Sequence, residues 1–294
     1  MFYRRKLILA LLEVFGGRLE KINLQKLLFL VTDRQSKPDY DFIPYKFGSY
    51  SFSANADLTT MVKHGYVIED DMSFTKKDTQ PYLPSLKETD KKLVSQVHTF
   101  FQKYDSDALM KHTYINYPYY AINSVSARRL LNNEQLEKVN NKKPVSAETI
   151  LFTIGYEGIS LEAYLGKLIK NDVKLLVDVR NNPLSQKYGF SKTLLSRYCY
   201  SLNIEYIHFA EVGIQSEDRR ELNDQKSYDA LFDAYKLKTL PKTMPIQNEI
   251  LQLLRNKKRI ALTCFEANIC QCHRKHLSEA ITQLPGWDFK LKHI

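Results

Sequence analysis

Beyond Pro144 short apolar runs alternate with helically spaced segments, a pattern that few arrangements other than a parallel α/β sheet accommodate. Ile150–Ile154, Leu175–Val179, Glu205–His208 and Arg259–Thr263 read as strands. Between them, Leu161–Asn171, Phe190–Leu202, Tyr228–Leu237 and Ile246–Asn256 carry helical spacing. The expected fold of residues 147–294 is a doubly wound, Rossmann-like, mostly parallel sheet with helices on both faces.

In open α/β sheets ligands bind beyond the carboxyl ends of the strands, so the residues that follow each run are the candidate site. They are Tyr156 and Glu157 after the first, Asp178 and Arg180 after the second, His208 after the third, and Cys264 with Glu266 after the last. Cys272, His273 and Arg274 then open the next helix, whose free N–H groups attract anions. Asp178, Glu157 and Glu266 are candidate acid/base groups, and Cys264 or Cys272 a candidate nucleophile. A thiol beside an arginine at a helix start ionises more readily than a free cysteine. Arg180, Arg274, Tyr156, His208 and His273 are candidate ligand-binding groups. Arginine opposes the dipole at a helix start, so an anionic ligand, rather than folding, is the expected reason for Arg274.

Three of the four cysteines lie between positions 264 and 272. Cys264, Cys270, Cys272 and His273 offer the donor types of a tetrahedral zinc site. The one-residue gap in Cys270-Gln-Cys272 is tighter than usual and no second ligand pair stands elsewhere, so no metal is expected. A redox disulfide of Cys264 or Cys270 with Cys272 is the other thiol reading.

Upstream, Phe2–Phe15 has the spacing of an amphipathic helix, ended by Gly16-Gly17. Asn23 is a plausible cap for a helix over Leu24–Val31, and Asp41–Phe47 reads as an extended piece. Ser53 is a plausible cap for Ala54–His64. Tyr66–Ile68 and Ser73–Thr75 flank an acidic turn as a hairpin. Helices followed by a hairpin is the order of a winged helix, which binds nucleic acid or, in some cases, protein. The expected division is a winged-helix domain over 1–85, a helical connector and linker over 86–146, and the α/β domain over 147–294.

A net charge of +10 and a pI near 9.2 favour polyanionic partners. The charge is shared, with 22 basic and 16 acidic residues up to position 146 and 21 and 17 beyond it. No apolar run is long enough for a membrane span. The basic, apolar N-terminus lacks a small-residue cleavage site, and the four cysteines do not form a secreted disulfide framework. A cytoplasmic location is expected, without a membrane partner.

Four stretches carry a resemblance: Thr153–Gly158, Leu176–Ser185, Ile207–Gly213, and Cys264-Phe-Glu266 with Cys272-His-Arg274. In order, they resemble the successive motifs of the domain of unknown function 488 family over roughly residues 150 to 285. The resemblance implies an α/β domain whose motif residues, Ser185 included, share a pocket, and it leaves the cofactor open. Cys270 departs from the family pattern, as does Glu211-Val-Gly213, where a leucine–glycine pair is usual. The Leu24–Leu28 and Pro44–Ser51 stretches are similar to winged-helix modules of bacterial mobile-element and defence proteins, and to antitoxin-like domains. Together these imply a nucleic-acid-binding protein, DNA first, whose C-terminal domain acts on DNA, RNA or an anionic nucleotide. The rivals are a DNA-binding regulator that senses a small anion, and a protein-interaction component of a defence or toxin system.

Overall fold

The computed structural model describes residues 1–215 and 225–294, and the chain forms two compact units, Met1–Lys143 and Pro144–Ile294. In the first unit α1 (Tyr3–Val14) is buried from Leu7 through Leu12 without a break. A helix enclosed on all sides needs no polar face, so it is a central helix rather than the amphipathic one expected. Gly16 and Gly17, at φ +83° and +85°, turn its end into a strand, a conformation glycine adopts at little cost.

That strand, β1 (Arg18–Glu20), runs directly into α2 (Lys21–Thr32), so Asn23 lies inside the helix and Glu20 takes the cap position. The expected extended piece is a hairpin of β2 (Ile43–Tyr45) and β3 (Gly48–Tyr50). Helix α3 (Phe52–Lys63) is capped by Ser51, two residues earlier than Ser53, through the Ala54 N–H at 3.2 Å. The hairpin β4 (Val67–Glu69) and β5 (Ser73–Lys76) forms as expected, and β1 joins it in an antiparallel sheet of order β1-β5-β4.

Helices α4 (Glu88–Phe101) and α5 (Ser106–Asn116) contribute Val94, Val97, Phe101 and Leu109 to the core of α1 and α2. Next come α6 (Ala127–Leu130) and α7 (Asn133–Asn140). The latter forms inside the stretch read as linker, because Asn132 and Gln135 make a reciprocal capping box.

The second unit runs β6 (Ile150–Gly155), α8 (Leu161–Lys170), β7 (Leu175–Asp178), α9 (Lys192–Ser201), β8 (Glu205–His208), α10 (Gln225–Ala234), a π-turn over Tyr235–Thr239, α11 (Leu240–Lys242), α12 (Met244–Lys257), β9 (Arg259–Cys264), α13 (His273–Thr282) and β10 (Lys290–His293). Every neighbour in the sheet order β10-β6-β9-β7-β8 is parallel. The edge strand β10 was not apparent, since exposed Lys290, Lys292 and His293 hide it in a polar tail.

Strand alternation sorts side chains onto two faces. Leu151, Leu175, Val177, Ile260, Leu262 and Cys264 share a core with α12 and α13. On the other face the Tyr164 hydroxyl of α8 donates to Thr263 Oγ1 at 2.8 Å. Helices therefore cover both faces, as expected of a doubly wound sheet. No helix among the described residues is long and apolar enough to cross a membrane.

Candidate functional site at the strand ends

Register aligns the strand ends: Gly155 pairs with Cys264, and Asp178 pairs with both Thr263 and His208. The expected residues do collect along this rim, but alternation divides them into two buried groups and a more accessible fringe.

The first group centres on Asp178, fully buried on the α8 face. Its carboxylate accepts from Arg180 Nε at 2.8 Å and Nη2 at 2.5 Å, from the Arg180 amide at 3.1 Å, and from the Tyr206 hydroxyl at 2.5 Å. Arg180 also donates through Nη1 to the Tyr156 hydroxyl and the Phe190 carbonyl, both at 2.8 Å. Tyr156 stacks on Phe190 with ring centres 4.2 Å apart. Burial works against the Arg180 charge, but hydrogen bonds and Coulomb attraction from Asp178 prevail and raise its pKa. Burial and then Asp178 raise that of Tyr206 as well. A carboxylate so enclosed ties the loops after β6 and β7 to strand β8; an acid/base group needs access that it lacks.

The second group lies on the α13 face. Cys264, Cys272 and His273 are buried, and their ligand-capable atoms lie within 4.8 Å of one another. His273 Nε2 donates to the Val179 carbonyl at 2.9 Å, which leaves Nδ1 as the lone-pair nitrogen, 3.7 Å from Cys264 Sγ. The Cys264 thiol donates to Glu266 Oε2 at 3.1 Å. Burial first, and Cys264 second, push the Cys272 thiol well above its ordinary range, opposite to the activation expected at a helix start. Cys270 is exposed and outside the cluster. Val179 bridges the two groups: its amide donates to the Thr263 carbonyl, and its own carbonyl receives His273.

Arg274 has a folding role that the sequence does not reveal. It is buried, and donates to the carbonyls of Glu266 at 2.5 Å and Ala267 at 3.2 Å. Gly155 faces the same loop, and a Cβ there would stand 1.9 Å from the Glu266 carbonyl oxygen.

The fringe contains Glu157, Ser185, His208 and Glu266. Glu157 accepts from the Ala267 amide at 2.9 Å. Ser185 Oγ accepts from the Lys187 amide at 3.2 Å, within the loop after β7. His208 donates from Nε2 to the Arg180 carbonyl at 2.8 Å, and its Nδ1 stands 3.2 Å from Lys192 Nζ. Two lysines that sequence reasoning passed over thus join the rim: Lys192 at the start of α9, and Lys187, which donates to the Tyr156 carbonyl at 2.6 Å. Lys187 lies in a loop of ordinary composition and Lys192 in the first turn of α9, and neither position carried a signal. Beside the rim lies a cleft of about 760 Å3 lined by Asn181, Glu211, Gln215, Tyr235, Lys238 and Lys242, among others.

Fold and site define this unit as a doubly wound α/β domain with a polar carboxyl rim. Residues 160–281 match the family model described as domain of unknown function DUF488, a match lying wholly within this unit. No curated protein matches the chain.

Proposed function

We propose that the protein binds nucleic acid, DNA first, through a winged helix in the N-terminal unit, and that the C-terminal domain acts on DNA, RNA or a nucleotide. The observation that carries this reading is the outward face of α3. One side of that helix buries Ala54, Leu58 and Met61, while Asn55, Thr59 and Lys63, spaced four apart, are exposed and include no acidic group. Amide, hydroxyl and ammonium groups on one helix face suit base edges and phosphates in a major groove. The sheet order β1-β5-β4 behind α3 supports the winged-helix assignment. A cleft of about 740 Å3 in the same unit carries Arg34, Lys37, Lys87 and Lys92 along with Asp39 and Asp90. In the C-terminal domain, acid/base work falls to the accessible Glu157, Glu266 and His208, with Lys187 and Lys192 beside them for an anionic substrate.

One observation favours a second reading, a protein-binding module. The β4–β5 turn is acidic, with Glu69, Asp70 and Asp71, and a wing of that charge repels phosphate. Titration of labelled duplex and single-stranded oligonucleotides into the full chain decides between them. About six phosphate contacts would lower affinity roughly 10³-fold between 50 and 200 mM salt. Lys63→Ala should weaken binding and reduce the salt slope by about one. Absence of binding at 50 mM salt would reject the nucleic-acid reading in favour of the protein-binding one.

A further inference from the structure

The geometry points to a zinc site in the C-terminal domain, made by Cys264, Cys272 and His273 with the Glu266 carboxylate as fourth ligand. The three donor atoms come from the end of β9 and the start of α13, and all lie within 4.8 Å of one another. Zinc–ligand bonds of about 2.0–2.3 Å put the corners of a tetrahedron roughly 3.3–3.8 Å apart. The Cys264 Sγ to His273 Nδ1 separation of 3.7 Å already falls in that range. Glu266 Oε2 is 3.1 Å from Cys264 Sγ but outside the 4.8 Å group of the other three donors, so its partly exposed carboxylate swings toward Cys272 and His273 to close the fourth position.

The second observation concerns the imidazole. Metal-bound histidines commonly donate their other ring N–H to a carbonyl or carboxylate, which fixes the tautomer and aims the lone pair. The Val179 carbonyl does this for His273, so Nδ1 faces the two thiols before any ion arrives. Two cysteines, an imidazole and a carboxylate are a donor set for zinc rather than for magnesium or calcium, which prefer oxygen ligands. On binding, the Cys264 and Cys272 thiols each release a proton to solvent and coordinate as thiolates. No electron changes hands.

Two rival uses of the same thiols are weaker. A nucleophile must meet its substrate, whereas Cys264 is 1% exposed and Cys272 and His273 are 0%. A Cys264–Cys272 disulfide would leave the aimed imidazole without a task. Enclosure instead matches a structural zinc, whose four positions are filled by protein. Such an ion would fasten the loop that carries Glu266 to α13. Acid/base work at the rim then falls to Glu157 and His208.

The test uses the full chain, purified with a thiol reductant and without chelator. Metal analysis should find about one zinc per chain after dialysis, retained in Cys270→Ser and lost in Cys264→Ser and His273→Ala. Because those two variants could unfold, Co2+ is also titrated into the unsubstituted chain after its metal is stripped. A thiolate-to-cobalt charge-transfer band with tetrahedral visible bands is expected, and added zinc should abolish it. A weak octahedral spectrum without the charge-transfer band would overturn the proposal. So would a Cys264–Cys272 disulfide found by peptide mass mapping in a chain that takes up no zinc. This test reads metal binding alone, so it stands apart from the nucleic-acid reading.

Discussion

Lys26 should make the N-terminal unit more stable as pH rises above neutrality, against the usual trend for a lysine. Its side chain is 2% exposed, and Nζ has the Ser49 carbonyl, 2.8 Å away, as its hydrogen-bond acceptor. Burial lowers its pKa from 10.5 to about 7. Each unit of difference between folded and unfolded states corresponds to about 1.4 kcal/mol, so holding the charged amine in the fold costs on the order of 5 kcal/mol. The sign follows from proton counts. Below about pH 7 both states bind the proton, and the cost is present in full. Between about 7 and 10.5 the unfolded chain keeps a proton that the folded chain has released, so stability rises with pH. Lys26→Met removes the cost but strands the buried Ser49 carbonyl, at about 1–3 kcal/mol. The variant should be the more stable by about 2–4 kcal/mol at pH 6, and this advantage should shrink by roughly 2.7 kcal/mol by pH 9. Urea denaturation of the full chain and of the variant at pH 5, 6, 7, 8 and 9 measures the difference for the transition that the substitution moves. A difference that stays constant from pH 5 to 9 would refute the reasoning.

The rim gives further expectations. Asp178→Asn should cost about 3–5 kcal/mol, because it leaves the Arg180 guanidinium buried without its counter-charge; a thermal melt unchanged from the parent would show that the carboxylate is no structural tie. Arg274→Ala should lower stability by about 2–4 kcal/mol, since two carbonyls lose their donor and a cavity remains; a variant as stable as the parent would return this arginine to a ligand-binding role. Gly155→Ala should displace the loop after β9, because the obstacle at 1.9 Å is backbone and cannot rotate away; hydrogen exchange over residues 264–272 indistinguishable from the parent would contradict this.

The order of strands and helices in the C-terminal unit was legible because β6, β7 and β9 are buried on both faces and read as continuous apolar runs. Strands with little apolar content were not legible. In β1 only Leu19 is buried, and β10 has four residues of which none is buried. Both become strands through pairing with distant segments, Ser73–Thr75 and Ile150–Thr153, which no local window contains. Caps failed in a similar way: Ser51 and Ser53 are equivalent as residue types, and the extended φ of −117° at Ser51 decides between them.

At the candidate site the sequence located the residues along the strand ends but not in depth. Asp178 and Cys264 both close a strand on the same rim, and a rule about carboxyl ends treats them alike. Depth depends on which face each side chain takes and on what covers it. Asp178 falls on the face of α8, where Arg180 and Tyr206 saturate it; Cys264 falls on the face of α13, where Cys272 and His273 meet it. The two groups face apart with Val179 between them, so the eleven candidates do not form one pocket. The cysteine spacing misled for the same reason. Cys270 and Cys272 are neighbours in sequence, yet a 3-10 turn over Ile269–Gln271 leaves Cys270 in solvent and carries Cys272 inward to Cys264, eight positions away. A ligand rule built on sequence gaps counts the wrong pair. The pair that can share an ion is set by the register of β9 and the first turn of α13.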